Sequence, residues 1–154
     1  MNALAFRVQS LFLQSCRVDR GAQKPVQAGL FSTVTYSVTR TEYVAGSNLV
    51  RISTQMDVGI YVSFDGTEDA LEANKIGVVS SEHTATFEAT RDISDDDVTD
   101  EGLRSAITEA HAALYPYHRS TIEELSGRLG VVPFRLPPLW DDVNDQLRAS
   151  SDSA

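Results

Sequence analysis

Residues 49–64 read LVRISTQMDVGIYVSF, and their apolar side chains fall at every second position. The even-numbered positions are apolar from Val50 to Phe64, with Thr54 as the one exception, and the odd-numbered positions are mostly polar. Alternation with period two is typical of a strand that has one face in the core and the other in water. We therefore predict an unusually long strand here, with a bend or bulge at Gly59.

Three further segments, residues 6–19, 33–39 and 84–90, show the same alternation. In the first, Leu11 and Leu13 break the pattern, which indicates a bulge. Each segment is apolar on a single face, whereas strands of parallel sheets are covered on both faces and read as continuous apolar runs. The four segments therefore predict an antiparallel sheet, in which the first two strands are joined by a long loop from Arg20.

A long helix is predicted after the strands, because apolar residues recur every three or four positions over residues 103–129. Gly127 or Gly130 can end it. Pro116 falls inside this apolar stripe, where it lacks a backbone donor and clashes with the preceding turn, so we expect a kink or a break there.

A short second helix is expected at residues 141–148, and residues 149–154 should be disordered. The chain has 154 residues and no internal repeat or linker, which fits one domain over residues 1–154. Strands first and helices afterwards predict the α+β class: a four-stranded antiparallel sheet covered on one face by the long helix and the short one.

The composition excludes several classes of protein. Lys and Arg number 13 against 22 Asp and Glu, so the net charge of −9 has the wrong sign for binding nucleic acid. No apolar run approaches the roughly 20 residues that span a bilayer, so we expect no membrane insertion. Cys16 is the only cysteine and cannot form an intrachain disulfide. With no export signal at the N-terminus, a cytoplasmic location is expected.

No catalytic, cofactor or metal site is recognisable. His111 and His118 are seven positions apart, about 10 Å along a helix, which is too far to share one metal ion, and we interpret them as helix-surface residues. The acidic residues at 92–101 lack the glycine and the final glutamate of a calcium loop and suit the start of a helix. Without a phosphate loop or a nucleophile motif, we expect a protein that is not an enzyme and needs no cofactor.

A few large apolar residues fall outside every regular stripe. Leu30 and Phe31 lie in the loop before the second strand, and Leu136, Leu139 and Trp140 lie among prolines. They can pack beneath the loops as a satellite of the core. Alternatively, they line a groove for apolar ligands or peptide segments.

Residues 114–119, Leu-Tyr-Pro-Tyr-His-Arg, resemble the Phe-Pro-Tyr-Ala-Arg element in the long helix of the SecB family of export chaperones. Residues 122–130 and 133–139 are similar to the family's passage from that helix into a Pro-containing loop. The opening Phe6-Arg7-Val8-Gln9 is similar to its first strand. The resemblance implies a homotetramer, a dimer of dimers, that holds unfolded polypeptides in apolar grooves without ATP.

In that family the groove is lined by the loop after the first strand, by the second strand and by the helix-linker-helix end. By this resemblance the client-binding residues here are Leu30, Phe31, Val34, Tyr36, Val38, Leu136, Leu139, Trp140, Val143 and Leu147. The clients are unfolded preproteins or, as in SecB-like relatives that serve toxin–antitoxin systems, an antitoxin. The sequence leaves both open.

Docking to the SecA motor, which the family achieves through acidic residues on the exposed sheet face and a C-terminal tail, is only partly matched. Asp19 and Glu88 occupy two such positions, but Ser15 stands where an acid is expected. Residues 148–154 also lack the acidic and histidine character of the family's tail. For the tetramer, a row of small helix residues, Ala106, Ala110 and Ala113, predicts the contact between subunits.

The alternative from another class is a helix-grip domain that binds a small molecule or acts as a cyclase-like enzyme. Such domains also wrap an antiparallel sheet around a long C-terminal helix. That fold usually has more strands and short helices after the first strand, and here the loop after Arg20 shows no helical stripe. A helix-grip domain is expected to be monomeric and to hold one small molecule.

Overall fold

The computed structural model describes residues 4–26, 29–43, 46–98, 100–131 and 135–137. These residues form four strands, β1 (Phe6–Arg20), β2 (Leu30–Tyr43), β3 (Leu49–Val62) and β4 (Lys75–Ala89), followed by the helix α1 (Asp100–Ser126). Short 3-10 turns lie at Glu72–Asn74, Asp95–Asp97 and Gly127–Leu129. The predicted α+β class, with the strands before the helix, is confirmed. The second helix and the tail predicted at residues 141–154 lie outside the described residues.

All strand pairs are antiparallel, and the order across the sheet is β1-β4-β3-β2. Strands β4 and β3 are central, whereas β1 and β2 form the two edges. Helix α1 packs across one face, over β4 and also over β1 and β3. We call this the inner face of the sheet and the opposite one the outer face. Among the described residues, no helix is long and apolar enough to cross a membrane.

Strand β1 contains the bulge that its broken alternation predicts, and a second one. Its register shifts between Val8 and Ser10 and again between Leu13 and Ser15. Each extra residue reverses the side to which the following side chains point. Leu11 therefore lies beside Ala85 and packs against the core, although it has the wrong parity for a regular strand.

Gly59 marks a close approach on β3. A Cβ atom added to it would lie 2.7 Å from the ring of Tyr61 and 2.8 Å from the hydroxyl of Thr33. The register of β3 against β4 shifts between Ile60 and Tyr61, directly after this glycine. Glycine is thus required here because the Tyr61 ring lies across the backbone where another side chain would begin.

Helix α1 continues through Pro116, so the break considered from the sequence is absent. Pro116 and Ala112 are both exposed, and the carbonyl that loses its helical donor is that of Ala112. Water can satisfy this carbonyl on the exposed side of the helix, which makes the proline tolerable. The helix ends as predicted: the turn Gly127–Leu129 follows it, and Gly130 is left-handed with φ of 78°.

The core between α1 and the sheet consists of two apolar clusters, which lie at opposite ends of the helix. The first is built around Val50, Ile52, Ala85, Phe87, Ala106, Ala110 and Leu114. The second is built around Met56, Val58, Ile60, Ile76, Val79, Ile122 and Leu129. Between them lies a layer of buried polar side chains, which we call the polar layer: Thr54 of β3, Ser81 and His83 of β4, and His118 of α1.

Candidate functional site

The inner face of edge strand β2 carries an apolar row that the helix does not fully cover. Leu30, Val34, Tyr36 and Val38 share this face, because they pair with Val62, Val58, Met56 and Thr54 of β3. The first three are partly buried against the core, and Val38 is 36% exposed. The row therefore continues the hydrophobic core out to the open edge of the sheet.

At alternate positions of β2, the backbone N–H and C=O groups point to that open edge. The amide of Ser63 donates a hydrogen bond of 2.6 Å to the carbonyl of Gly29, which makes Gly29 and Ser63 a hydrogen-bonded pair in the β2–β3 register. Hydrogen-bonded and non-hydrogen-bonded pairs alternate along an antiparallel ladder. Leu30, Ser32, Val34 and Val38 consequently direct their N–H and C=O groups away from β3. In the described part of the chain, no further strand pairs with this edge.

Residues 30–38 also lack the features that usually protect a sheet edge. They contain no charged residue and no proline, and the only irregularity of β2 follows, between Val38 and Arg40. The other edge, β1, has two bulges and the charged residues Arg7, Arg17, Asp19 and Arg20. Charges, prolines and bulges prevent unwanted strand pairing in natural sheets. Strand β2 thus offers a polypeptide both main-chain partners and an apolar surface.

Leu30 and Phe31 lie in β2, not in the loop before it, so their predicted placement is wrong. As neighbours in a strand they point to opposite faces. Leu30 is on the inner face, whereas the Phe31 ring stacks on Tyr61 at a centroid distance of 5.3 Å on the outer face. The two side chains therefore cannot line one groove together on a single face.

The chain returns to the sheet after α1. Leu136 is buried within the second apolar cluster. Its carbonyl accepts a hydrogen bond of 3.1 Å from Nε of Arg119, and the Tyr115 hydroxyl donates to the carbonyl of Pro137. Side chains of the helix thus hold the backbone of this segment. The other predicted groove residues, Leu139, Trp140, Val143 and Leu147, lie outside the described residues.

The acidic residues considered for partner docking lie on the outer face and are paired. Asp19 contacts Nε of Arg17 at 3.0 Å. Glu88 pairs with Arg7 and accepts a hydrogen bond of 3.2 Å from Asn48. The Arg7 guanidinium holds the pKa of the Glu88 carboxyl below its usual value. Both carboxylates thus have a basic partner on the same strand or on the neighbouring strand.

The small helix residues considered for subunit contact face the sheet. Ala106 and Ala110 are buried in the first apolar cluster, and Ala113 is partly buried against it. Their small size lets α1 approach the sheet closely. The solvent-exposed side of the helix instead carries Ser105, Thr108, Ala112, Pro116 and Ser120. The role of the three alanines between subunits stays a prediction.

The polar layer is the feature that the sequence reasoning missed. His118 was expected on the helix surface, but it has 0% exposure, because it lies on the same side of α1 as Leu114 and Ile122. Its Nε2 lies 2.8 Å from the hydroxyl of Thr54, and its Nδ1 lies 2.7 Å from that of Ser81. The sequence contains one signal of this layer: Thr54 is a polar residue on the apolar face of β3, and a buried polar residue needs a polar partner, which here is His118.

The polar layer adjoins the apolar row of β2 through Tyr36. The Tyr36 hydroxyl lies 2.7 Å from Nδ1 of His111, and its ring meets His118 edge-on at 5.8 Å. Burial raises the pKa of the Tyr36 hydroxyl. Among the described residues, no group of three or more side chains could hold a metal ion.

A solved structure has a similar fold: the Mycobacterium tuberculosis Rv1957 SecB-like chaperone in complex with a ChAD peptide from the Rv1956 HigA1 antitoxin. It matches with a TM-score of 0.64 and 23% sequence identity, over 87% of this chain and 90% of that chain. The chain has the SecB-like fold. The resemblance seen in residues 114–119 is thus confirmed for the fold. No protein-family model matches the chain, and no curated protein does.

Proposed function

We propose that this chain is an ATP-independent chaperone that holds unfolded polypeptide along β2. The observation that carries the proposal is a combination on one strand: β2 has outward-pointing backbone groups at Leu30, Ser32, Val34 and Val38, and on its inner face it carries the apolar row described above. A peptide strand added to this edge pairs through its main chain, which tolerates any sequence. Its alternate side chains then lie beside the apolar row, where burial of apolar surface stabilises the complex.

The client is an unfolded preprotein or an antitoxin, and two observations favour the antitoxin. The structurally similar Rv1957 chaperone is complexed with an antitoxin peptide. In addition, Asp19 and Glu88 each have an arginine partner, Arg17 and Arg7, which reduces the negative potential that they offer to SecA. A chaperone without this docking surface serves a client that is not passed to the export machinery.

We propose that the working assembly is a homotetramer, a dimer of dimers, as the resemblance to the SecB family implies. Each subunit would contribute one β2 edge, and several edges within one particle can hold distant segments of one client. Size exclusion with light scattering at micromolar concentration should give the mass of four chains. A monomer across that range would remove the tetramer from the proposal.

An aggregation assay without nucleotide tests the holding activity. We expect a stoichiometric amount of the tetramer to delay aggregation of several slowly folding proteins, an antitoxin among them. ATP should make no difference to the delay. If no client in such a panel were protected, the proposed function would be wrong.

A further inference from the structure

All three histidines of this chain lie in or beside the polar layer that divides its core. His83 comes from β4, and His111 and His118 come from α1. The ring centroids of His83 and His118 are 4.6 Å apart, and the rings of Tyr36 and His111 meet at 4.8 Å. The contact between α1 and the middle of the sheet is therefore made largely by imidazoles.

The hydrogen bond between His83 and His118 requires one of the two Nδ1 atoms to carry no proton. The two Nδ1 atoms lie 3.3 Å apart, so one ring donates and the other accepts. The hydroxyls of Thr54 and Ser81 beside His118 can act in either direction. A first added proton places a cation in the core, and a second one sets two N–H groups and two charges against each other.

A proton on this pair would lack a compensating negative charge among the described residues. In the described part of the chain, no carboxylate oxygen lies within ion-pairing distance of His83 or His118, and the nearby charges on α1, Arg119 and Glu123, pair with each other at 3.1 Å. The other titratable groups around the pair are not carboxylates: Tyr36 on β2, Tyr117 and His111 on α1, and Cys16 on β1, which lies opposite Ser81. The facing residue of β3, Thr54, does not titrate.

We propose that the polar layer is an acid-sensitive switch of the client-binding edge, in which protonation of the His83–His118 pair loosens α1 from the sheet and displaces Tyr36. The proposal rests on the proposed function for its consequence, which is a loss of client affinity. The connection runs through Tyr36, because its ring contacts His118 and its hydroxyl contacts His111 while it belongs to the apolar row of β2.

The pH range follows from the direction of the pKa shifts. Burial lowers the pKa of His118 to about 3, with the charges of His83 and His111 adding to the effect, and burial also lowers the pKa values of His83 and His111. Because the unfolded chain binds these protons near pH 6.5, the stabilisation by neutral histidines is complete above that pH. It is lost progressively as the pH falls from 6.5 towards the folded-state values.

The first test measures unfolding of the wild-type tetramer and hydrogen exchange of α1 between pH 7.5 and 5.0. Below pH 6.5 the unfolding constant should rise by up to about tenfold per pH unit for each histidine that stays neutral in the folded state. Exchange protection of the amides around His118, corrected for intrinsic rates, should fall in parallel. Since the chain has no histidine outside this group, unchanged unfolding and protection over this range would overturn the switch.

Variants separate the switch from simple loss of packing. His83→Gln keeps hydrogen-bonding groups but cannot titrate, so we expect a smaller dependence of stability on pH than in the wild type. His118→Gln should reduce this pH dependence further. If His118→Gln does not fold, the result for His83→Gln is interpretable on its own. The control is Asp57→Asn, because the Asp57 carboxylate lies on the outer face, where it contacts Gln55. This variant should keep the wild-type dependence of stability on pH. A His83→Gln profile equal to the wild type would contradict the proposal.

Client affinity is then measured at pH 7.5 and 5.5 with a fluorescent peptide from a protected client. We expect a lower affinity at pH 5.5 than at pH 7.5 in the wild type and a smaller loss in His83→Gln. If α1 loosens but client affinity does not change, the connection through Tyr36 is wrong. If no client binds at either pH, the proposed function fails, whereas the unfolding and exchange data still decide on the switch.

Discussion

The hydroxyl of Tyr36 lies 2.7 Å from Nδ1 of His111, and this contact joins edge strand β2 to helix α1. It is notable because α1 otherwise packs on β4, β1 and β3, so β2 is held to the rest of the chain mainly by its pairing with β3. The position of β2 relative to the helix therefore depends in part on this polar contact and on the rings around it.

Removal of the Tyr36 hydroxyl tests that contact. Tyr36→Phe keeps the ring against His118 but loses the hydrogen bond, and we expect the free energy of unfolding to fall by about 1 kcal/mol. Chemical denaturation at pH 7.5 measures it. Tyr43→Phe, on the exposed end of the same strand, is the matched control and should change little. Equal effects of the two substitutions would show that the contact contributes nothing.

The apolar groove predicts a separation between stability and client affinity. Leu30→Ala combined with Trp140→Ala removes two predicted groove side chains, and the free energy of client binding should weaken by about 2–4 kcal/mol. The melting temperature should fall less than in a core variant, because Leu30 is only partly buried. Ile60→Ala truncates a buried core residue and should instead cost roughly 3 kcal/mol of stability. Melting temperature and peptide affinity are measured on the same preparations. A double variant that melts early yet holds clients normally would rule out the groove.

The open edge of β2 predicts sensitivity to a proline at outward-pointing positions. Ser32→Pro removes an N–H that points away from β3, so pairing with β3 survives and client affinity should fall about tenfold. Ser32→Ala keeps the N–H and should bind as the wild type does. Thr33→Pro removes an N–H that points towards β3, and it should cost about 1–3 kcal/mol of stability. Full client affinity in Ser32→Pro would exclude pairing at this edge.

Gly59 predicts a steric effect on the sheet. In Gly59→Ala the new methyl group meets the Tyr61 ring and the Thr33 hydroxyl, so we expect a loss of about 1–3 kcal/mol of stability. Gly127→Ala places a methyl group in open space without a positive φ, and its stability should equal or slightly exceed that of the wild type. Thermal unfolding of both variants decides, and a Gly59→Ala protein as stable as Gly127→Ala would refute the close approach.

Much of the architecture could be predicted because it depends on local pattern. The alternation from Val50 to Val62 identifies a strand whatever its neighbours are, and the three-to-four spacing of Ile122, Leu125 and Leu129 does the same for α1. Gly130 ends the helix region because a left-handed residue there favours glycine. These features follow from backbone geometry within a few residues.

The placement of individual side chains needed the register between strands. Two bulges in β1 decide that Leu11 points into the core, and a start of β2 at Leu30 sends Phe31 to the outer face. The sequence predicts a kink or a break at Pro116, but the helix continues there, because the exposed side of the helix leaves the unpaired carbonyl of Ala112 to water. Local sequence does not show where solvent is.

By itself, the sequence determined the kinds of element, their order and the apolar face of each. Only the tertiary structure decided that Thr54, Ser81, His83 and His118 meet in one buried layer, and that residues 30–38 form an open edge. Periodicity reports which side of an element avoids water, whereas a polar contact between residues 64 positions apart, such as Thr54 and His118, exists only when strands and helix pack in one particular register.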